Sequence, residues 1–158
     1  MDTYADFIDE VAAGGFDAPA DGGWTAEQIV ANVVFSHEEL IEVTEAVLVG
    51  EKVSYDDRER IDVRELDRCV AAYGGLRGLA DRLAETVTVL RDLTGRLAEL
   101  ANTLVPVRIA EQDGEVIVDQ PLPWGKLLEL DAEVYVPRRL EQLRALRGSH
   151  GEGRGDPE

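Results

Sequence analysis

The stretch LAETVTVLRDLTGRLAELANTL, from Leu83 to Leu104, carries the clearest structural signal in this 158-residue chain. Its seam positions recur at alternating spacings of four and three residues: Leu83, Val87, Leu90, Thr94, Leu97, Ala101 and Leu104. This period places the seam on one face of an α-helix and is typical of helices packed in a bundle. We therefore expect an all-α fold in which the helical pattern runs from about Asp62 to Leu104. Glycines at positions 74, 75 and 78 bend or interrupt its first half.

Two more helices are predicted before this one. The first fits Thr3 to Ala13, because its apolar residues share one face. The second has Thr25 as its N-cap, and Gln28, three residues later, completes a capping box. It runs to about Val49 and stops at Gly50, since glycine is the usual residue just beyond a helix.

The chain after the seam predicts a hairpin and a last helix. Two β-rich stretches, Val105 to Ala110 and Glu115 to Val118, flank the Asp-Gly dipeptide at 113–114, which suits a tight turn. The segment DQPLP then breaks the chain. A helix follows from about Trp124 to Arg147, with a kink at Pro137, because proline removes one backbone hydrogen bond. Together these elements predict a four-helix bundle with a small β-hairpin between helices 3 and 4.

Length and charge limit the classes of function. Residues 1–147 make one domain, and the tail 148–158, GSHGEGRGDPE, has nothing to bury and is predicted to be disordered. The formal net charge of −17 argues against a nucleic-acid partner and disfavours an anionic membrane surface. The start, MDTYADFIDE, lacks the pattern of a signal peptide, and no apolar run reaches transmembrane length, so we expect a cytoplasmic protein. The acidic surface most simply keeps the protein soluble; a basic partner or a salt-rich cytoplasm is the alternative.

Three residues raise the question of a chemical site. His37 lies near the middle of the apolar face of the second helix, whereas Asn32 lies at its edge, about 110° from the centre at 100° per residue. A buried histidine is a metal ligand, a proton carrier or a hydrogen-bonded core residue, and we favour the last because His150, in the tail, is the only other histidine. Cys69 is the only cysteine, which excludes an intrachain disulfide, and its apolar neighbours predict a buried thiol rather than a nucleophile.

The last helix has a polar side of its own. It is formed by five residues: Asp131, Tyr135, Arg138, Arg139 and Gln142. One interpretation is a surface stripe of ion pairs with arginines that keep their charged ends in water. The other is the wall of a polar pocket in which a guanidinium grips a carboxylate with two hydrogen bonds. Helical periodicity leaves the two open, because Pro137 disturbs the phase.

Several short motifs together resemble a known family. They are GWT followed by VAN in the second helix, YDDR from Tyr55 to Arg58, VDQPLPWG from Val118 to Gly125, and VPRRLEQLRAL in the last helix. From roughly Thr3 to Arg147 the chain resembles the DinB-like superfamily, and most closely the N-terminal domain of mycothiol-dependent maleylpyruvate isomerases. The resemblance implies a four-helix bundle, often a homodimer, and a divalent metal such as zinc or nickel. In that family a histidine of the second helix, eight residues after the tryptophan, binds the metal with a Glu or His and a His, four apart, on the last helix.

The ligand positions that the resemblance implies fall on Asn32, Tyr135 and Arg139. Asparagine is a weak neutral donor, tyrosine rarely binds zinc or nickel, and the fixed positive charge of arginine repels a cation. The resemblance therefore implies a lost metal site, and no cofactor is expected; a retained zinc or nickel ion is the family-based alternative. In place of the metal, Arg139 would pair with Asp131 or another acid, with Tyr135 and Asn32 completing the network, or it would bind a small anion.

Three functions follow from these observations. The first is a metal-free DinB-like protein, structural or binding a small anionic or thiol ligand, and forming a homodimer as the resemblance implies. The second is a thiol-dependent transferase or isomerase with an altered site, for which the sequence supplies no evident pair of nucleophile and base. The third is an acidic protein that recognises a basic partner. The candidate pocket residues are Asn32, His37, Asp131, Tyr135 and Arg139.

Overall fold

The computed structural model describes residues 2–20, 22–57, 61–111 and 113–154. Beyond Arg147 it describes the backbone alone. The chain is mostly helical, with a small three-stranded sheet. In order, the elements are α1 (Thr3–Ala13), α2 (Ala26–Leu48), β1 (Tyr55–Asp56), α3 (Val63–Tyr73), α4 (Leu76–Leu97), β2 (Leu104–Ala110), β3 (Val116–Pro123), α5 (Trp124–Leu130) and α6 (Val136–Arg154). A 3-10 turn, Ala98–Asn102, follows α4, and a π turn, Asp131–Tyr135, joins α5 to α6. Within these ranges no helix is both long and apolar enough to cross a bilayer.

The start of α2 has the predicted capping box. The Thr25 hydroxyl accepts a hydrogen bond from the backbone N–H of Gln28 at 3.1 Å, and the Gln28 side-chain oxygen accepts one from the backbone N–H of Thr25 at 3.0 Å. These two bonds satisfy N–H groups that have no partner inside the helix. The predicted limits of α1 are likewise confirmed. In α1 and at the start of α2, the capping signals and the apolar pattern therefore predict the same helix.

The third predicted helix is in fact two helices. Gly74 and Gly75 form the turn between α3 and α4. Their φ values of +81° and +89° are ones that residues other than glycine rarely adopt. A Cβ atom at Gly78 would overlap the carbonyl oxygen of Tyr73 and lie 2.6 Å from its carbonyl carbon. Glycine therefore allows the end of α3 to approach the first turn of α4 closely. The interruption expected at these glycines is confirmed, whereas the count of one helix between Asp62 and Leu104 is wrong.

The seam of α4 is buried over most of its length. Its fully buried apolar residues are Leu79, Leu83, Val87, Leu90, Leu93 and Leu97. Two predicted members of the seam do not belong to it: Thr94 is exposed, and Leu104 is 63% exposed at the start of β2. Leu93, not Thr94, is the buried residue at that turn of α4. Beyond Leu97 the period is lost because α4 ends there and Ala98 turns the chain out of the helix with a φ of +49°.

The sheet is larger than the predicted hairpin. β2 and β3 pair antiparallel across the turn at Asp113 and Gly114, as predicted. β3, however, continues to Pro123, so the segment DQPLP lies in a strand and does not break the chain. Its prolines are tolerated because β3 is an edge strand. β1, which pairs parallel to β2, lies in a segment whose polar composition predicts only a connection.

The last helix is irregular just before Pro137, at a π turn. The backbone N–H of Val136 donates to the carbonyl oxygen of Asp131, which is the wider bond of a π turn. The helix also continues to Arg154, past the predicted end at Arg147, because extending an existing helix needs only one more backbone bond per residue. Residues 148–154, predicted to be disordered, are thus helical, and 155–158 lie outside the described residues.

The core has two parts that meet along α2. One part packs α1, α3, α4 and α6 around the first half of α2, and the other packs α5 and the sheet against its second half. In the second part the fully buried Trp124 donates its indole N–H to the Thr44 hydroxyl at 2.7 Å and meets the Tyr55 ring edge-on. α2 thus contributes residues to both parts of the core, and the π turn of the last helix lies beside it.

Candidate functional site

A cavity of about 80 Å³ lies between α2, the sheet and the π turn. By this measure one water needs roughly 10–15 Å³, so the space suits a molecule of a few non-hydrogen atoms. Of the predicted pocket residues, Asn32, Asp131, Tyr135 and Arg139 line it, and His37 does not. The structure therefore brings together four of the five side chains that the sequence singles out.

Arg139 forms the cationic part of the cavity wall. Its Nε donates to the Asn32 Oδ1 at 2.8 Å, and its Nη1 donates to the Gln142 Oε1 at 2.8 Å. The guanidinium carbon lies 5.0 Å from the centre of the Trp24 ring, in the range of a cation–π contact. Burial lowers the pKa of Arg139 below its ordinary value, because water stabilises the charge less here. Among the described residues, the hydrogen-bond partners of the Arg139 guanidinium are therefore neutral amides.

Asp131 forms the anionic part of the wall and is only 6% exposed. Its Oδ2 accepts a hydrogen bond from the Tyr4 hydroxyl at 2.6 Å and lies 2.9 Å from the His37 Nε2. The rings of Tyr4 and His37 meet edge-on, with their centres 5.3 Å apart. Burial, and then the Asp131 charge, raise the pKa of Tyr4, so its hydroxyl stays a donor. A Tyr–Asp–His network thus fixes one oxygen of the carboxylate from behind the cavity.

His37 is fully buried, which confirms its predicted place in the core. Its Nε2 faces Asp131 as a donor, in either the neutral or the charged ring. Its Nδ1 is also buried and has no hydrogen-bond partner among the described residues. The role that the geometry gives His37 is to orient Asp131, since it does not reach the cavity itself.

Tyr4 is a member of the network that sequence reasoning missed. Its position on the apolar face of the first helix identifies it as a packing residue. No local signal in the sequence could link it to Asp131, which is 127 positions further along the chain. The bond exists because α1 packs beside the last helix in the folded protein.

The polar side of the last helix is divided between two environments. Tyr135 is half-buried beside the cavity, and burial raises its pKa. Arg138 also borders the cavity but is exposed, and its Nη1 lies 3.8 Å from the Glu111 carboxylate. The predicted pairing of Arg139 with an acid is not among the described contacts, since its partners are amides, and Asp131 bonds instead to residues of α1 and α2. The surface interpretation therefore applies to Arg138. Tyr135 and Arg139 lie at a pocket wall, but the described contacts there include no carboxylate held by a guanidinium with two hydrogen bonds.

Asn32, Tyr135 and Arg139, where the resemblance would place metal ligands, all line this cavity. They do not fit a divalent metal, because the Asn32 oxygen already accepts from a guanidinium at the place where a cation would bind. In the described part of the chain, no cluster of three or more His, Cys, Asp or Glu residues could hold a metal ion. The observed donor set favours an anion over a cation beside Arg139.

Cys69 does not line this cavity, and it is half-buried, not buried as predicted. Cys69 lies in α3, whose fully buried residue is Leu66. Burial and the nearby Glu38 carboxylate raise the pKa of its thiol to about 11. The thiol is therefore protonated at neutral pH and is a poor nucleophile.

Comparison of this chain with protein families, with curated proteins and with solved structures finds no match.

Proposed function

We propose that this protein is a metal-free, DinB-like four-helix bundle protein that binds a small anionic molecule beside Arg139. The observation that carries the proposal is a partly buried guanidinium, facing a cavity, whose described hydrogen bonds all go to neutral amides. The meeting of Asn32, Tyr135 and Arg139 at this cavity supports the family resemblance, because these are the positions at which that family binds its metal.

The donor arrangement of Arg139 suits an anionic ligand. A guanidinium has five N–H donors, and the described bonds use only Nε and Nη1. Nη2 takes part in none of the hydrogen bonds of the described residues. Because Trp24 covers the guanidinium and burial removes part of its hydration, a carboxylate that binds here replaces lost water with a charge-assisted bond. Such bonds are about twice as strong as neutral ones.

The alternative function is a thiol-dependent transferase or isomerase that uses the same cavity. Cys69 does not favour it, because its thiol is protonated and lies elsewhere. Arg139 does not favour it either, since it stands where that family binds a metal. Binding is therefore the function that the geometry supports best.

Thermal shift with formate, acetate and propionate tests the proposal. We expect at least one of these acids at millimolar concentration to raise the melting temperature of the wild type, because a ligand that binds only the folded state stabilises it. Arg139→Ala should abolish the shift. Arg144→Ala is the matched control: it removes the same charge from an exposed residue of the same helix, which pairs with Glu10 and does not border the cavity.

Two results would contradict the proposal. A shift that is unchanged in Arg139→Ala, or the absence of any shift with all three acids, would refute binding at this guanidinium. Stoichiometric uptake of added nickel or zinc, measured by elemental analysis of the purified protein, would refute the metal-free site.

A further inference from the structure

The cavity wall contains a second charged group of opposite sign. Asp131 lines the cavity, and both of its described hydrogen-bonding contacts, with Tyr4 and His37, are made by Oδ2. Oδ1 takes part in none of the hydrogen bonds of the described residues. Neither Tyr4 nor His37 lines the cavity, so the partners of Oδ2 lie behind the wall. The remaining oxygen is therefore the one positioned to meet a ligand.

The charges around the cavity weaken, but do not abolish, the binding of a ligand that is only anionic. Among the described residues, Asp57 and Glu111 also line it, which gives three carboxylates and two guanidinium groups along the described part of the wall. Glu111 has Arg138 as its partner, and Asp57 accepts from the backbone N–H of Ala110 at 2.9 Å. A simple anion attracted by one guanidinium would also be repelled by these acids at short range. A ligand that adds a positive group removes that repulsion.

We infer that the ligand is a small zwitterion whose carboxylate binds Arg139 and whose ammonium group binds Oδ1 of Asp131, an inference that rests on the proposed function. The two side chains supply the two complementary charges: a guanidinium with an unused Nη2 and a carboxylate with an unused oxygen. The bonds from Tyr4 and His37 hold the carboxylate in one orientation before the ligand arrives, which reduces the entropy lost on binding. The cavity volume limits the class to amino acids with a short carbon chain.

The spacing of the two charges calls for a series of probes. Asp131 and Arg139 are eight residues apart on one helical segment, about 12 Å along its axis at 1.5 Å per residue. The long arginine side chain shortens this separation, because side chains on a helix lean toward its N-terminus. Glycine, β-alanine and 4-aminobutyrate span increasing distances between their charges, and they have acetate, propionate and butyrate as matched acids without the amine.

Isothermal titration calorimetry of the full chain with these three pairs tests the inference. We expect at least one amino acid to bind about tenfold or more tightly than its matched acid, the difference that one hydrogen bond to a charged group provides. The matched amine without the carboxylate, such as propylamine for β-alanine, should bind weakly. Asp131→Asn should reduce the affinity for the amino acid to that of its acid and leave the acid unaffected or tighter. Glu133→Gln, which removes a carboxylate charge from an exposed residue of the same turn that does not border the cavity, is the control and should preserve the preference.

The outcomes separate the two proposals. If an acid binds as tightly as its amino acid in all three pairs, the zwitterion is refuted and the anion site stands. If neither member of any pair binds, both the zwitterion and the proposed function are refuted. If Asp131→Asn does not fold, the wild-type comparison of the pairs still decides, because it needs no variant. A preference for the amino acid that persists undiminished in folded Asp131→Asn would overturn the role of Asp131.

Discussion

Removal of the Tyr4 hydroxyl tests the network behind the cavity. Tyr4→Phe deletes the bond of 2.6 Å to the Oδ2 of Asp131 and leaves the His37 contact in place. A hydrogen bond to a charged acceptor contributes about 1.5–3 kcal/mol. Because Tyr4 is only partly buried, water can replace some of the lost bond, and we expect a loss of about 1.5 kcal/mol. In a domain of this size such a loss lowers the melting temperature by roughly 3–6 °C.

The same bond predicts a dependence on pH. Burial and the Asp131 charge raise the pKa of Tyr4 in the folded state above its ordinary value of 10.0. The protonated hydroxyl therefore stabilises the fold fully below pH 10, and this contribution is lost as the pH rises further, since only the unfolded tyrosine then ionises. The stability difference between wild type and Tyr4→Phe should be constant from pH 7 to 9. Above pH 10 it should fall by up to about 1.4 kcal/mol per pH unit.

Urea denaturation of both proteins at several pH values measures these differences. Tyr135→Phe is the control, because the Tyr135 hydroxyl makes none of the hydrogen bonds of the described residues, and its change at neutral pH should stay within about 0.5 kcal/mol. Two results would refute the reasoning. One is equal stability of wild type and Tyr4→Phe at pH 7, and the other is a difference that does not decline above pH 10.

Two further predictions concern the scaffold, and thermal denaturation measures both. Gly78→Ala should destabilise the protein by on the order of 2 kcal/mol, because the new methyl group meets backbone at the end of α3. Gly95→Ala, in the same helix but in open space, should stabilise it by about 0.5–1 kcal/mol; similar changes for the two variants would contradict the close approach. Thr44→Val should cost about 1–3 kcal/mol, since it leaves the buried indole N–H of Trp124 without its acceptor, and a neutral result would show that this bond is dispensable.

Local signals predict much of the helical structure. Thr25 and Gln28 identify the start of α2, because a capping box involves residues only three apart. The glycines at 74 and 75 mark the interruption after α3, although periodicity favours one long helix. The errors lie where the fold opposes a local pattern. β1 is an example, since Tyr55 belongs to a polar segment and forms a strand only beside β2.

The candidate site is predictable in part, because local sequence signals reveal some of its residues. The polar side of the last helix is visible in the sequence, and residues such as Tyr135 and Arg139 could be selected from it. Their partners could not, because the π turn changes the helical phase between Asp131 and Arg139. Only the folded structure shows that Arg139 bonds to an amide of α2 and Asp131 to a hydroxyl of α1.

The Tyr4–Asp131–His37 network also has a consequence for the order of folding. Its two bonds join residues 127 and 94 positions apart, so each closes a long loop. Contacts of such separation form only after most of the chain entropy has been lost. α2, α3 and α4, whose contacts with one another span shorter stretches of chain, can therefore assemble while His37 still lacks its acidic partner. Docking of the last helix then completes the hydrogen bonds and encloses the cavity in one late event.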